Sequence, residues 1–189
     1  EARHNQGLTT ALQALALVRR HYPRAGLVLI GGMREEAQPA LREFLVRYPE
    51  LRSVVHQLPW LPHHHLAAYY NLLDLFWYPA LSDGLPNAVL EALACGRVVI
   101  ASRVGGAVDI LGGSPLAPLL IPPNNPLALA ETTLRLLQMP PEKRATLGKA
   151  GRNWVINRFA METEAKAYTE LYAELAAEPA PAAAKRPPE

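Results

Sequence analysis

Short apolar runs of four or so residues alternate along the chain with longer stretches whose apolar residues recur every three or four positions, and this alternation restricts the fold more than any other feature. The first periodic stretch carries Leu8, Leu12, Leu15 and Val18 or Arg19 and stops at Tyr22-Pro23; the run Leu27 to Ile30 follows and ends on Gly31-Gly32. The pair predicts a helix and then a buried strand. The pattern continues as a helix over Glu35 to Tyr48, a strand over Ser53 to Leu58, a helix over His64 to Leu73 and a strand over Leu75 to Tyr78. It goes on with a helix over Pro86 to Ala94, a strand over Val98 to Ala101, a short helix over Gly106 to Leu111 and a strand over Leu119 to Ile121. Only helices are predicted after Pro126: Leu127 to Leu137, Pro141 to Phe159 and Met161 to Ala177. Such an order predicts an α/β fold, a mostly parallel sheet flanked by helices, with its ligand site beyond the carboxyl ends of the strands.

The 189 residues, half of them apolar, suffice for one core, so residues 1–177 are expected to form one domain and the Pro/Ala-rich residues 178–189 a tail that buries little. The formal charge of +2 is spread along the chain without runs of Lys or Arg, which implies neither nucleic acid nor a polybasic membrane surface as partner. The most apolar stretch, Leu66 to Leu81, is broken by Asn71, Asp74 and Pro79 and falls short of the ~20 residues that span a bilayer, so no transmembrane helix is expected. A single cysteine, Cys95, makes no internal disulfide and favours a reducing, cytoplasmic setting, with a peripheral place at the membrane left open for a longer protein. The chain opens at Glu1 without Met, and its start excludes no upstream segment.

The residues with the most chemical content lie in Ser82-Asp-Gly-Leu-Pro-Asn-Ala-Val-Leu-Glu91. Gly84 permits a sharp turn, and Pro86 is expected as the first helical residue, where its missing N–H costs nothing. The amides at a helix start have no internal partners and sit at the positive end of the dipole, which suits a phosphate. Glu91 lies five residues beyond Pro86, roughly 7–8 Å along a helix axis. A carboxylate at that distance from a bound diphosphate can accept hydrogen bonds from two vicinal ribose hydroxyls. Asp83 is expected on the other side of the diphosphate, near a sugar.

At these residues the chain resembles the retaining glycosyltransferases of family 4, also called glycosyl transferases group 1, whose fold is the two-domain GT-B fold. Their signature, E-G-x-P-x-x-x-x-E-A-x-A-x-G, reads here Asp83-Gly-Leu-Pro-Asn-Ala-Val-Leu-Glu91-Ala-Leu-Ala-Cys-Gly96. The resemblance extends from about Gln6 to Tyr172 and takes in Gly31-Gly32, Leu58-Pro-Trp-Leu-Pro62, Val98 to Gly106 with Asp109, and Arg158-Phe159. It implies the Rossmann-like C-terminal half of a GT-B enzyme, which transfers a hexosyl group from a nucleoside-diphosphate sugar with retention, without an obligatory metal or other cofactor. Glu91 would then bind the ribose, and Gly84, Leu85, Pro86 and Asn87 the diphosphate and sugar hydroxyls. Asp83 stands one methylene short of the usual Glu. Asn5-Gln6-Gly7 stands where the family has Lys-Gly, so Gln6 brings no charge, and Arg3 is a candidate replacement cation. The resemblance also implies a first strand ahead of Glu1, an N-terminal acceptor-binding domain that this chain lacks, and a donor half inactive alone.

Other residues permit two readings. His63-His-His65 has no partner at metal-ligand spacing and is expected to be a solvated helix start rather than a metal site. Cys95 reads as a small packed side chain without an activating base. Trp60 is a candidate for stacking on the nucleobase or for core packing. Gly31 and Gly32 either line the donor site or turn the chain, and the full dinucleotide fingerprint is absent. A catalytically degenerate binding or assembly module and a GT-B sugar-nucleotide epimerase are the alternatives to a transferase.

Overall fold

A computed structural model describes residues 7–32 and 37–177. In chain order the elements are α1 (Leu8–Arg19), β1 (Leu27–Ile30), α2 (Ala37–Arg47), β2 (Val55–Leu58), α3 (His63–Leu72), β3 (Leu75–Tyr78), α4 (Asn87–Ala94), β4 (Val98–Ser102), α5 (Gly105–Leu111), β5 (Leu120–Ile121), α6 (Pro126–Gln138), α7 (Pro141–Phe159) and α8 (Met161–Ala177). Every strand and helix expected from the apolar pattern is present; β1, β3, α7 and α8 have the expected ends, and where another end among the described residues shifts, it does so by one or two residues. Ser53 sits in a turn before β2 and Leu119 closes a 3-10 turn before β5. Apolar content reports burial, whereas a strand needs ladder pairing, so the apolar run overstates the strand. Glu35, the expected start of α2, lies outside the described residues.

Each strand pair is parallel: Leu27 to Ile30 align with Val55 to Leu58, Leu75 to Tyr78 with Val98 to Ala101, and Ala101-Ser102 with Leu120-Ile121. All five residues of β4 are buried, because β3 and β5 flank it and helices cover it. On α7, Gly148 lies under the Gly96 carbonyl and Gly151 against Leu93 and Leu116, which brings that helix down onto α4. Leu93, Ile100, Ile110 and Leu129 are fully buried there, each stabilising the core by about 1.5–3 kcal/mol. Local chemistry sets the helix ends: the Asn125 side chain accepts the Ala128 amide at 2.9 Å and Pro126 follows as the first residue of α6. Trp154 donates to the Ile110 carbonyl at 2.8 Å and carries the Arg158 guanidinium over its ring, fixing α7 on α5. The described residues of α8 are all exposed, including Tyr168, Leu171, Tyr172 and Leu175. Among the described residues no helix is long and apolar enough to cross a membrane.

The single sheet expected from the alternation is divided in two, β1-β2 and β3-β4-β5. A cavity of about 880 Å3 separates them, lined by all four residues of β1 and all four of β3. Successive residues of a strand face opposite sides of a sheet, so a cavity lined by consecutive residues runs along the strand edges rather than over a face. The amides of Leu27 and Gly31 donate to the Val54 and Leu58 carbonyls on the β2 side. By the two-residue alternation, those of Val28 and Ile30 point away from β2, into the cavity. Val28 and Ile30 are each 38% exposed, where strands of a parallel sheet are normally covered.

Candidate functional site

The loop after β3 and the helix that follows it bring the candidate residues together at the carboxyl end of the three-stranded sheet. Pro86 does not begin α4 as expected. It is the N-cap, with φ −80° and ψ 97°, and Asn87 is the first helical residue. The proline ring locks φ, and with ψ extended the Pro86 carbonyl accepts the Val89 amide at 3.0 Å and the Leu90 amide at 3.4 Å. The amides of Leu85, Asn87 and Ala88 have no partner among the described residues. They form an exposed, electropositive helix tip.

What shapes this loop differs from the sequence expectation. Gly84 needs no special freedom, since a Cβ there would meet nothing within 4 Å. The glycines that are required lie on the neighbouring helix α5. Gly105 has φ 43° and its Cα faces the Asp83 carbonyl, while a methyl group on Gly106 would overlap the Gly84 carbonyl. Gly106 donates to that carbonyl at 2.6 Å. The Gly-Gly pair was visible in the sequence, but what it packs against was not.

The Asp83 carboxylate is held on both oxygens, Oδ1 by the Gly84 amide at 2.7 Å and Oδ2 by the hydroxyl of Tyr78, the buried last residue of β3. Glu91 is held in the same way. Tyr70 donates to Oε2 at 2.8 Å, and Nε2 of His63 lies 3.0 Å from Oε1. Tyr70 is buried on α3, and burial first, then its hydrogen bond to Glu91 and the charges of Glu91 and Cys95, raise its pKa far above the ordinary phenol value. It therefore stays protonated and acts as a donor. Sequence reasoning missed both tyrosines, because aromatic residues in apolar stretches read simply as core.

The remaining expectations resolve unevenly. His63 does open α3 and is exposed, but it engages Glu91 rather than only solvent. His64 and His65 contact each other edge-on, and among the described residues no three His, Cys, Asp or Glu side chains converge on one point. Cys95 is half-buried at the end of α4. Trp60 is 73% exposed, which removes the core-packing alternative and leaves its indole free at the end of β2. Gly31, with φ 113°, lines the cavity at the carboxyl end of β1, as Tyr78 does at the end of β3; Gly32 follows it and is not part of the lining. Arg3 and Gln6 lie outside the described residues. Gly7 caps α1 with φ 70° and packs against the Pro79 carbonyl, so the entrance to α1 sits at the carboxyl end of β3.

The family model described as glycosyl transferases group 1 matches residues 2–139. A GDP-mannose-dependent alpha-(1-6)-phosphatidylinositol monomannoside mannosyltransferase of Mycolicibacterium smegmatis is 28% identical over 177 residues, covering 88% of this chain and 44% of that protein. Among solved structures, sucrose-phosphate synthase from Thermosynechococcus elongatus superposes with a TM-score of 0.75 at 31% identity over 89% of this chain and 43% of that one. HepE of Anabaena, solved in complex with UDP-glucose, shares the fold with a TM-score of 0.81 at 19% identity, over 92% of this chain and 47% of that one. The chain spans less than half the length of the curated relatives it matches.

Proposed function

Because the chain belongs to the glycosyl transferases group 1 family, we propose that it is the donor-binding half of a GT-B glycosyltransferase that moves a hexosyl group from a nucleoside-diphosphate sugar to an acceptor with retention. The observation that carries this reading is the pairing on one helix of a free amide tip, Leu85, Asn87 and Ala88, with a carboxylate, Glu91, held in place further along. The amides take the diphosphate and Glu91 takes the ribose hydroxyls. Asp83, fixed by Tyr78 and the Gly84 amide, faces the donor sugar. Gly31 and Gly32 line the opposite side, and Trp60 offers its exposed ring to the base.

As the glycosidic bond breaks, negative charge grows on the departing diphosphate, and donors already aimed at it lower the barrier. The helix-tip amides supply that stabilisation without a metal. Gln6, which can donate a hydrogen bond but carries no charge, and Arg3, the candidate replacement cation, are the further contacts this reading assigns to the diphosphate. The acceptor-binding domain belongs to the rest of the full-length protein, and a strand ahead of Glu1 fills the gap between β1 and β3. The divided sheet supports that assignment.

A module that binds sugar nucleotides without transferring them is the second reading, favoured by Gln6. Calorimetric titration with UDP and GDP tests the donor reading, and UDP comes first because HepE was solved with UDP-glucose. Binding is expected, with Glu91→Ala weakening it by about 1.5–3 kcal/mol and amide resonances of Leu85, Asn87 and Ala88 shifting on titration. Unchanged affinity in a folded Glu91→Ala variant would remove the central assignment.

A further inference from the structure

Glu91 is not a free carboxylate waiting at the helix surface. Each of its oxygens already has one protein partner, Tyr70 on Oε2 and His63 on Oε1. The two partners differ. His63 is 81% exposed in its side chain, so it is free to leave for solvent. Tyr70 is 8% exposed and sits edge-on to Phe76 of β3 with ring centroids 5.5 Å apart. Its hydroxyl thus has a fixed position, set by packing between α3 and β3 rather than by Glu91.

An ionised carboxylate offers about four acceptor sites, two on each oxygen. With one site on each oxygen filled, one remains on each, and Tyr70 fixes the plane in which they lie. A vicinal diol presents two O–H donors that match two neighbouring acceptor sites. A sugar lacking those hydroxyls matches neither.

Resting on the donor-binding reading above, we infer that Tyr70 is the positioning residue that aims Glu91 at both ribose hydroxyls, and so makes the site selective for ribonucleotides over nucleotides lacking the vicinal diol. Tyr70 does not touch the ligand. It removes the rotational freedom that Glu91 would otherwise lose on binding, the usual role of a group behind a ligand-contacting side chain. His63 closes the exposed side and contributes less.

The test uses the whole chain and four measurements: calorimetric affinities of UDP and of 2′,3′-dideoxy-UDP for the wild type and for Tyr70→Phe, which keeps the ring and its packing on Phe76. The wild type is expected to prefer UDP. Tyr70→Phe should lose about tenfold in UDP affinity, the scale of one hydrogen bond to a charged group, and hold dideoxy-UDP as the wild type does. Equal losses for both ligands would mean that the hydroxyl only supports the fold, and an unchanged preference would mean that Glu91 needs no aiming; either overturns the inference while leaving the donor reading intact. A wild type that binds both nucleotides equally, or neither, overturns the role of Glu91 and this inference with it. His63→Ala is expected to narrow the preference by less than Tyr70→Phe, and His63→Gln, which keeps an N–H donor, to restore it.

Discussion

The Gly106 amide donates to the Gly84 carbonyl at 2.6 Å, tying the loop after β3 to the first turn of α5. Adding a methyl group at Gly106 would overlap that carbonyl, whereas a methyl group at Gly84 meets nothing within 4 Å. Gly106→Ala is therefore expected to destabilise the fold by about 1–3 kcal/mol and to weaken nucleotide binding by displacing the loop. Gly84→Ala is expected to leave the melting temperature nearly unchanged. Thermal melts of the two variants check the contrast, and equal destabilisation would show that the loop is not braced by α5.

Tyr70 also sets an alkaline limit on stability. Its folded pKa is raised by burial and by Glu91, so the unfolded chain gives up this proton first, near the ordinary phenol value of about 10. The contribution is complete below that pH and is lost as the pH rises above it, because the unfolded state then binds fewer protons than the folded one. Urea unfolding at about pH 8 and about pH 11 should show a smaller fall for Tyr70→Phe than for the wild type. Parallel falls would place the alkaline sensitivity elsewhere.

The divided sheet makes a prediction at single amides. Val28 and Ile30 direct theirs into the cavity, while Leu27 and Leu29 direct theirs toward β2. Hydrogen exchange should be faster at Val28 and Ile30 in this chain. Extending the chain upstream by the strand expected ahead of Glu1 should slow exchange at both and raise the melting temperature. Equal protection of all four amides in the unextended chain would contradict two separate sheets.

Transfer is expected to fail in this chain alone. A GT-B reaction takes place in a cleft between two domains, whose closure excludes water and brings the acceptor hydroxyl to the anomeric carbon. Incubation with a panel of labelled sugar nucleotides and mixed acceptors should yield no glycosylated product, even where nucleotide binds. Measurable transfer would show that one half suffices.

Much of this fold could be read from spacing. Val98 to Ala101 is a continuous apolar run because β4 is covered on both faces, and the apolar residues from Leu127 to Leu137 recur at helical spacing because α6 buries one face. The site signature around Asp83 and Glu91 was legible for the same reason: helix-tip amides and a carboxylate further along belong to one local segment. The division of the sheet was not, since apolar periodicity says which faces are buried and nothing about which edges pair. Nor were the partners of the two carboxylates. Tyr70 reaches Glu91 across 21 positions and from another helix, and Gly105 and Gly106 are glycines because the loop after β3 comes to rest on them. The sequence by itself determined the elements, their order and the identity of the acid groups, all of which follow from interactions within a few residues. Where those acids point, and which glycines permit it, was decided by the tertiary structure, because hydrogen bonds and steric contacts between distant segments exist only once packing has brought them together.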